Sequence, residues 1–320
     1  MRLDLRLDSF QKIEPELIRK LKLAGFSSVE DLAIKSPAYI SKLLDVEIDE
    51  AVSLCNKAAI ELEEEGIIPR GSSIEPANLS GGNSLYIKTG SQDLDQLFDG
   101  KGVETKAVTQ FYGQSATGKT QICHTLSVTV QQLRPDYKTI YIDTEGTFRT
   151  ERIIEIARAK GLEPTGVLQN IRYIQPLNSS RLESTLQDDL CRQLTLDKDI
   201  KLLLVDSVIN HYRAECSGRG MLSQRQSRLN KTMHFLQNVA RVYDIAVVIT
   251  TQVQTSVSGY CLADSDRPIG GNVMTHTSTL MVRLKGNSSY RIAEMKGSPC
   301  YPESCIRFEI YEGGIRDIPQ

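Results

Sequence analysis

Gly113-Gln114-Ser115-Ala116-Thr117-Gly118-Lys119-Thr120 follows the apolar run AVTQFY and precedes the helical stretch QICHTLSVTVQQL. It fits G-x-x-x-x-G-K-[ST] in the strand, loop, helix context that gives this pattern its meaning. Gly113 and Gly118 permit backbone conformations that turn successive N–H groups toward one point, and the helix N-terminus adds partial positive charge. The loop is therefore an anion cradle suited to a triphosphate. From this position Lys119 is expected to reach the β and γ phosphates and the Thr120 hydroxyl to ligate Mg2+.

A metal there needs a second ligand, and LLLV-Asp206-Ser207 offers one. It is a continuous apolar run of the kind found in central parallel strands, ending in a carboxylate at the edge where such sheets bind ligands. Hydrolysis needs a polarised water, and TIYIDTEG supplies Asp143 and Glu145. Glu145 lies further toward the ligand edge and beside Gly146, so it is the expected catalytic carboxylate, with Asp143 a structural partner of the strand end. AVVITTQV ends at Gln252, whose amide at this edge can feel the γ phosphate, although for this residue alone a capped strand end is the more ordinary reading.

Two segments that follow these strands stand out. NHYRAECSGRGMLSQRQSRLNK holds Arg213, Arg219, Arg225, Arg228 and Lys231 against the single acid Glu215, a local cationic concentration. For Arg228 and Lys231 a solvated helix face is an equal alternative. VQTSVSGYCLADSDRPIGGNVMTHT shows no helical or strand period and is too long for an ordinary connection, so it reads as a functional loop.

The elements that must position these groups follow from patterning. Apolar runs at 107–112, 139–142, 171–174, 201–205 and 245–250 alternate with helical stretches at 119–133, 151–160, 180–195 and 222–243, which calls for a largely parallel sheet with helices on both faces. Runs at 278–284, 290–295 and 305–311 are separated only by turns and are expected to extend the sheet as antiparallel strands. Ahead of this, residues 1–66 read as a small all-helical domain. Ser27 with Glu30 forms a capping-box pattern, Ser36-Pro37 opens a helix, Asp49 is a candidate cap, and Gly66 is a stop. Residues 67–84 are a linker rich in Pro, Gly and Ser, and 85–320 form the core.

Composition sets outer limits. A formal charge of -2 excludes a globally basic mode of nucleic-acid binding, so an anionic partner must be met by local cation clusters. The seven cysteines are scattered and never C-x-x-C, which indicates neither a disulfide framework nor a structural zinc site. No run of eighteen apolar residues occurs, and the start MRLDLRLDSF has no signal-peptide pattern. The chain reads as soluble and cytoplasmic.

GQSATGKTQICHTLSV, YIDTEGTFRTERI, LLLVDSV, RAECSGRGMLSQRQSRLNK, VVITTQV, PIGGNVMTHTSTLMVRL and GSPCYPE, in this order after a small helical domain, resemble the archaeal RadA branch of the RecA-type recombinases. The resemblance implies an α/β fold, a RecA-like P-loop ATPase core preceded by a helix-hairpin-helix-like domain. It implies an ATP- and Mg2+-dependent filament on single-stranded DNA that pairs with homologous duplex and exchanges strands. The nucleotide would contact 113–120, Gln121, Arg152 and, from a neighbouring subunit, Pro299 in the capping segment 298–302. Glu145 and Lys119 would be catalytic and Gln252 a γ-phosphate sensor. Arg213, Arg219 and Arg225 in a first DNA loop, and Gly270 and Gly271 in a second, would contact DNA. Ile74, Ala77, Tyr86 and His276 would lie between subunits.

Three departures from the family pattern carry expectations. Lys12-Ile13-Glu14-Pro15 and Leu44-Asp45-Val46-Glu47 lack the glycines usual in the hairpins, which leaves duplex binding and a structural role both open for this domain. Ile74-Glu75-Pro76-Ala77 stands where the family has Phe-x-x-Ala, so weaker or more DNA-dependent assembly is expected. Gly297 replaces a cation-binding aspartate, so potassium or calcium activation should be reduced. A mediator or structural clamp that binds ATP and DNA without exchange is the alternative reading. A small-molecule phosphotransferase is a third, for which no lid or acceptor pocket is evident.

Overall fold

In this computed structural model the described residues are 5–10, 12–69, 84–215, 219–254, 267–286 and 289–319. The linker residues Ile74 and Ala77 fall outside them. The chain divides into two compact units, the first comprising residues 1–83, 183–198 and 241–244 and the second the remainder.

The first unit is helical: α1 (Pro15–Leu23), α2 (Val29–Ile34), α3 (Pro37–Leu44) and α4 (Ile48–Glu64). Pro15 sits in the first turn of α1. The cap of α2 is Ser28, one residue later than expected, its Oγ accepting the Asp31 N–H at 3.2 Å. Ser36 caps α3 through Tyr39 N–H, with Pro37 in the first turn. Glu47 precedes α4, so Asp49 lies within the first turn, where its charge complements the helix dipole. Gly66, at φ 68°, ends the helix. Ala51, Leu54, Ala58 and Leu62 form the buried face of α4. The unit also recruits residues distant in sequence: Ser28 Oγ lies 3.2 Å from Thr195 Oγ1, and Lys35 Nζ donates to Gln187 O and pairs with buried Asp31 at 3.1 Å. In the hairpin between α3 and α4, Asp45 takes the left-handed conformation at φ 54°, a carboxylate where glycine would leave bare backbone.

The second unit contains β1 (Tyr86–Ile87), α5 (Gln92–Gln96), β2 (Val103–Glu104), β3 (Val108–Gly113), α6 (Lys119–Leu133), β4 (Lys138–Asp143), α7 (Thr150–Ala159), α8 (Pro164–Gln169), β5 (Ile171–Ile174) and the start of α9 (Ser179–Ser184). The chain then passes through a π-helical turn (Thr185–Leu190) and α10 (Cys191–Leu196). It continues with β6 (Ile200–Asp206), α11 (Asn210–Glu215), a 3-10 turn (Arg219–Met221), α12 (Leu222–Tyr243), β7 (Ala246–Thr251), β8 (Val253–Gln254), β9 (Arg267–Pro268), α13 (Asn272–Thr277), β10 (Leu280–Gly286), β11 (Arg291–Gly297), β12 (Cys305–Tyr311) and β13 (Gly314–Arg316).

The main sheet runs β13-β12-β11-β10-β3-β7-β6-β4-β5. Six strands, β5 through β10 in that order, are parallel, and β11, β12 and β13 are antiparallel. This corrects the expectation that the whole tail is antiparallel, because β10 pairs with β3 in parallel. Its approach from β7 is a long crossover, which parallel pairing requires, whereas turns join only β10 to β13. Two further expectations change. The stretch 180–195 is not one regular helix but is interrupted by the π turn, and the segment after Gln252 carries the helix α13.

Central strands read as unbroken apolar runs because helices cover both faces. Phe111, Tyr141, Leu202, Leu204, Val248 and Phe308 are 0% exposed and pack with Ile122, Leu126 and Val130 of α6. Each large side chain buried in this way contributes about 1.5–3 kcal/mol. Among the described residues no helix is long and apolar enough to cross a membrane.

Candidate functional site

Parallel register brings the carboxyl ends of β3, β4, β6 and β7 together: Tyr112 is opposite Thr251, and Asp143 is opposite Asp206. The loop 113–120 leaves β3 there. Ala116 and Gly118 have φ of 62° and 103°. A Cβ on Gly113 would lie 2.3 Å from Leu284 O, so only glycine fits that strand end. One on Gly118 would meet Ile310 Cδ1 at 3.2 Å. Gln114, Ser115 and Ala116 are exposed, and Thr117 is buried with its hydroxyl donating to Gln114 O at 2.9 Å.

Lys119 Nζ donates to Gly113 O at 3.0 Å and to Gln114 O at 2.7 Å, so its ammonium lies over the loop. Burial lowers its pKa, and the negative charges of Asp206 and Glu145 oppose that shift. Thr120 Oγ1 donates to Asp206 Oδ2 at 2.7 Å. Asp206 also accepts from Tyr141 OH at 3.3 Å and from Thr250 Oγ1. Burial raises the Asp206 pKa, hydrogen bonds from Thr250 and Thr120 act against the rise, and the charges of Glu145 and Asp143 add to it.

The residues fit a nucleotide with a divalent cation. A glycine cradle, a half-buried ammonium, and a hydroxyl–carboxylate pair among crowded carboxylates are the donor set such a pair needs. Among the described residues no group of three or more His, Cys, Asp or Glu side chains could hold a metal. A cation held by Thr120 and Asp206 would take its remaining ligands from phosphate and water.

Asp143 and Glu145 are in different circumstances. Asp143 accepts the backbone N–H groups of Glu145, Gly146 and Phe148 at 3.0, 2.8 and 2.9 Å, which fixes the turn after β4. Glu145 accepts from Ser207 Oγ at 2.9 Å and from Gln252 Nε2 at 3.4 Å, both on Oε1. Gln252 Oε1 in turn accepts from Arg213 at 3.1 Å. Arg152 is held by Gln121 Oε1 at 2.8 Å, Glu155, and the carbonyls of Tyr311 and Glu312, so its guanidinium is anchored beside the start of α6.

A family profile described as Rad51 matches residues 82–318. The chain belongs to the Rad51 family. It is similar to the DNA repair and recombination protein RadA of Metallosphaera sedula, with 38% identity covering 95% of this chain and 93% of that protein. A RecA-family recombinase role in recombination and repair follows at that level of detail.

The remaining residues singled out in this Rad51-family sequence are dispersed. The segment 213–224 is not an open loop where described: Arg213 is exposed on α11, Arg219 opens the 3-10 turn, and Arg225 is half-buried in the first turn of α12. Gly270 has φ 106°, and a Cβ there would approach Met274 Cγ to 2.5 Å. Gly271, at φ 54°, precedes α13. His276 is exposed on α13 and lines a cavity of about 510 Å³ with Arg267, Arg283, Lys296 and Gly297. A Cβ at Gly297 would crowd Met281 at 3.3–3.4 Å. Pro299 follows Ser298, whose Oγ accepts the N–H groups of Cys300 and Tyr301. Tyr86 lies on β1, which pairs with β2 in a separate two-stranded sheet, with Lys101 over its ring.

Sequence reasoning missed Ser207, Thr250, Tyr141 and His124. Hydroxyls in strands carry no motif, and the available signal was only their place beside Asp206 and Glu145. His124 lies one turn into α6 beyond Thr120, 1% exposed, against the rings of Tyr141 and Phe148. Among the described residues neither of its ring nitrogens has a hydrogen-bond partner. Burial, with Arg152 adding to it, lowers its pKa from 6.5 to about 4. The folded state therefore keeps this ring neutral where the unfolded chain protonates it. Stability is retained above pH 6.5 and is lost as the pH falls toward 4, by about 3 kcal/mol. Urea titrations from pH 7 to 4 should show His124→Phe losing that much less than the parent; equal losses would contradict the assignment.

Proposed function

We propose that the chain is a DNA-dependent ATPase that assembles on single-stranded DNA, pairs it with homologous duplex and exchanges strands. The observation that carries this reading is the convergence on one sheet edge of the Lys119 loop, the Thr120–Asp206 pair, Glu145 and Gln252 with the cationic segment on α11 and α12.

In this reading the loop amides 113–120 and Lys119 hold the triphosphate, with Gln121 positioning Arg152 beside the base. Mg2+ held by Thr120 and Asp206 would offset charge on the β and γ oxygens when bound. Glu145 orients and deprotonates the attacking water. Gln252 senses the γ phosphate at the head of the second DNA segment, so nucleotide state and DNA grip are coupled in both directions. Arg213, Arg219 and Arg225 neutralise DNA phosphates, a contact that accepts any sequence. Gly270 and Gly271 give the second DNA segment its backbone freedom.

Further copies of the chain would complete the assembly, with His276 and Pro299 facing a neighbour's nucleotide and Tyr86, Ile74 and Ala77 at the contacts between copies. Gly297 offers no carboxylate for potassium or calcium there. The N-terminal helices take a structural part in this reading, since acids outnumber bases in residues 1–66 and Asp45 puts negative charge at a hairpin tip. ATP turnover with and without single-stranded DNA tests the function: stimulation supports it, and indifference to DNA contradicts it. Ile74→Phe should assemble more readily than the parent in light scattering without DNA, because the larger ring buries more apolar surface; unchanged assembly sinks the linker assignment.

A further inference from the structure

Arg213, Gln252 and Glu145 form a chain of hydrogen bonds across the ends of three strands. Arg213 NH1 donates to Gln252 Oε1 at 3.1 Å, and Gln252 Nε2 donates to Glu145 Oε1 at 3.4 Å. The chemistry of the partners dictates how the amide is turned. A guanidinium can only donate and a carboxylate can only accept, so fixing the Gln252 carbonyl on Arg213 commits its NH2 group to Glu145. Ser207 Oγ donates to the same Glu145 oxygen at 2.9 Å. With two donors on Oε1, the lone pairs of that oxygen are taken up and it is poorly available to accept from the attacking water.

We infer that Arg213 is a positioning residue that holds Gln252 against Glu145 and so restrains hydrolysis until an anion draws the guanidinium away. The inference rests on the ATPase reading above, in which that anion is a DNA phosphate. Arg213 is exposed on α11, whereas its acceptor is a neutral amide oxygen. A phosphate oxygen adds a full negative charge opposite the guanidinium and can take it in a bidentate pair, which the amide oxygen cannot, so it wins the guanidinium wherever both are within reach. Gln252 then loses its anchor, and its amide is free to leave Glu145 for the γ phosphate. Arg213 thus couples the DNA-contacting segment to the hydrolytic carboxylate through two hydrogen bonds, without movement of a strand.

The test is steady-state ATP turnover of the full chain and Arg213→Ala in the absence of DNA, with single-stranded DNA titrations alongside and DNA affinity measured separately by fluorescence anisotropy. Arg213→Ala should raise the DNA-free kcat about three- to tenfold, the equivalent of one hydrogen bond. KM for ATP should stay unchanged, and stimulation by saturating DNA should shrink correspondingly. Arg213→Lys, which can still donate to the amide oxygen, should keep the low DNA-free rate. Simple loss of a DNA contact or of packing would not raise kcat. An unchanged or lower DNA-free kcat in Arg213→Ala overturns the inference. A parent chain indifferent to DNA contradicts the DNA-dependent reading instead, and the restraint is then judged on the DNA-free rates alone.

Discussion

Glu145→Gln should lower ATP turnover by about 10²- to 10⁴-fold, the range expected when a positioned general base is removed. Glutamine keeps the size of the side chain and an oxygen for Ser207 Oγ, so the turn after β4, which Asp143 fixes through three backbone N–H groups, stays in place. The loss should fall on kcat. Nucleotide affinity should hold or rise, because a negative charge beside Asp206 and the triphosphate is gone. DNA should be retained longer, since hydrolysis is the releasing step in this mechanism. Equal turnover for parent and variant would remove Glu145 from the reaction and return attention to Asp143.

Lys119→Ala should abolish nucleotide-dependent function from the other side of the site. Its ammonium bridges Gly113 O and Gln114 O and is the one Lys or Arg side chain within the eight-residue loop. Removing a preorganised donor of this kind costs about 10²–10³ in rate, and here the charge that neutralises the β and γ phosphates is lost as well. The DNA contacts proposed for α11 and α12 do not involve Lys119, so the variant should still bind DNA weakly. A variant that hydrolyses ATP within a few-fold of the parent would contradict the phosphate-loop assignment.

The phosphate loop was legible because its chemistry is local: eight consecutive residues specify the turn, the cradle and the cation. Asp206 was legible because an apolar run ending in a carboxylate states both the strand and its edge. The relay Ser207–Glu145–Gln252–Arg213 was not, because its links span 62, 107 and 39 residues and depend on the register of β4, β6 and β7. Strand direction at β10 was misread for a related reason. A turn-rich tail suggests hairpins, but direction is set by the crossover that precedes β10, not by the turns that follow it. The π turn at Thr185–Leu190 escaped because residues on one helical face stay apolar through it, with Leu182, Leu186 and Leu190 all buried. Sequence division treats 85–320 as one block, whereas 183–198 and 241–244 group with the N-terminal helices through contacts such as Ser28 to Thr195. Contiguous patterning cannot show such a discontinuous unit.

The central claim is that this site drives exchange of DNA strands and does not serve nucleotide and DNA binding alone. It is tested most directly by joint-molecule formation between circular single-stranded DNA and homologous linear duplex, with ATP and Mg2+, for the parent chain beside Lys119→Ala. Exchanged products in the parent that vanish in the variant are the expected result. Tight binding of ATP and DNA by the parent with no joint molecules would contradict it and identify a clamp or mediator built on the same site.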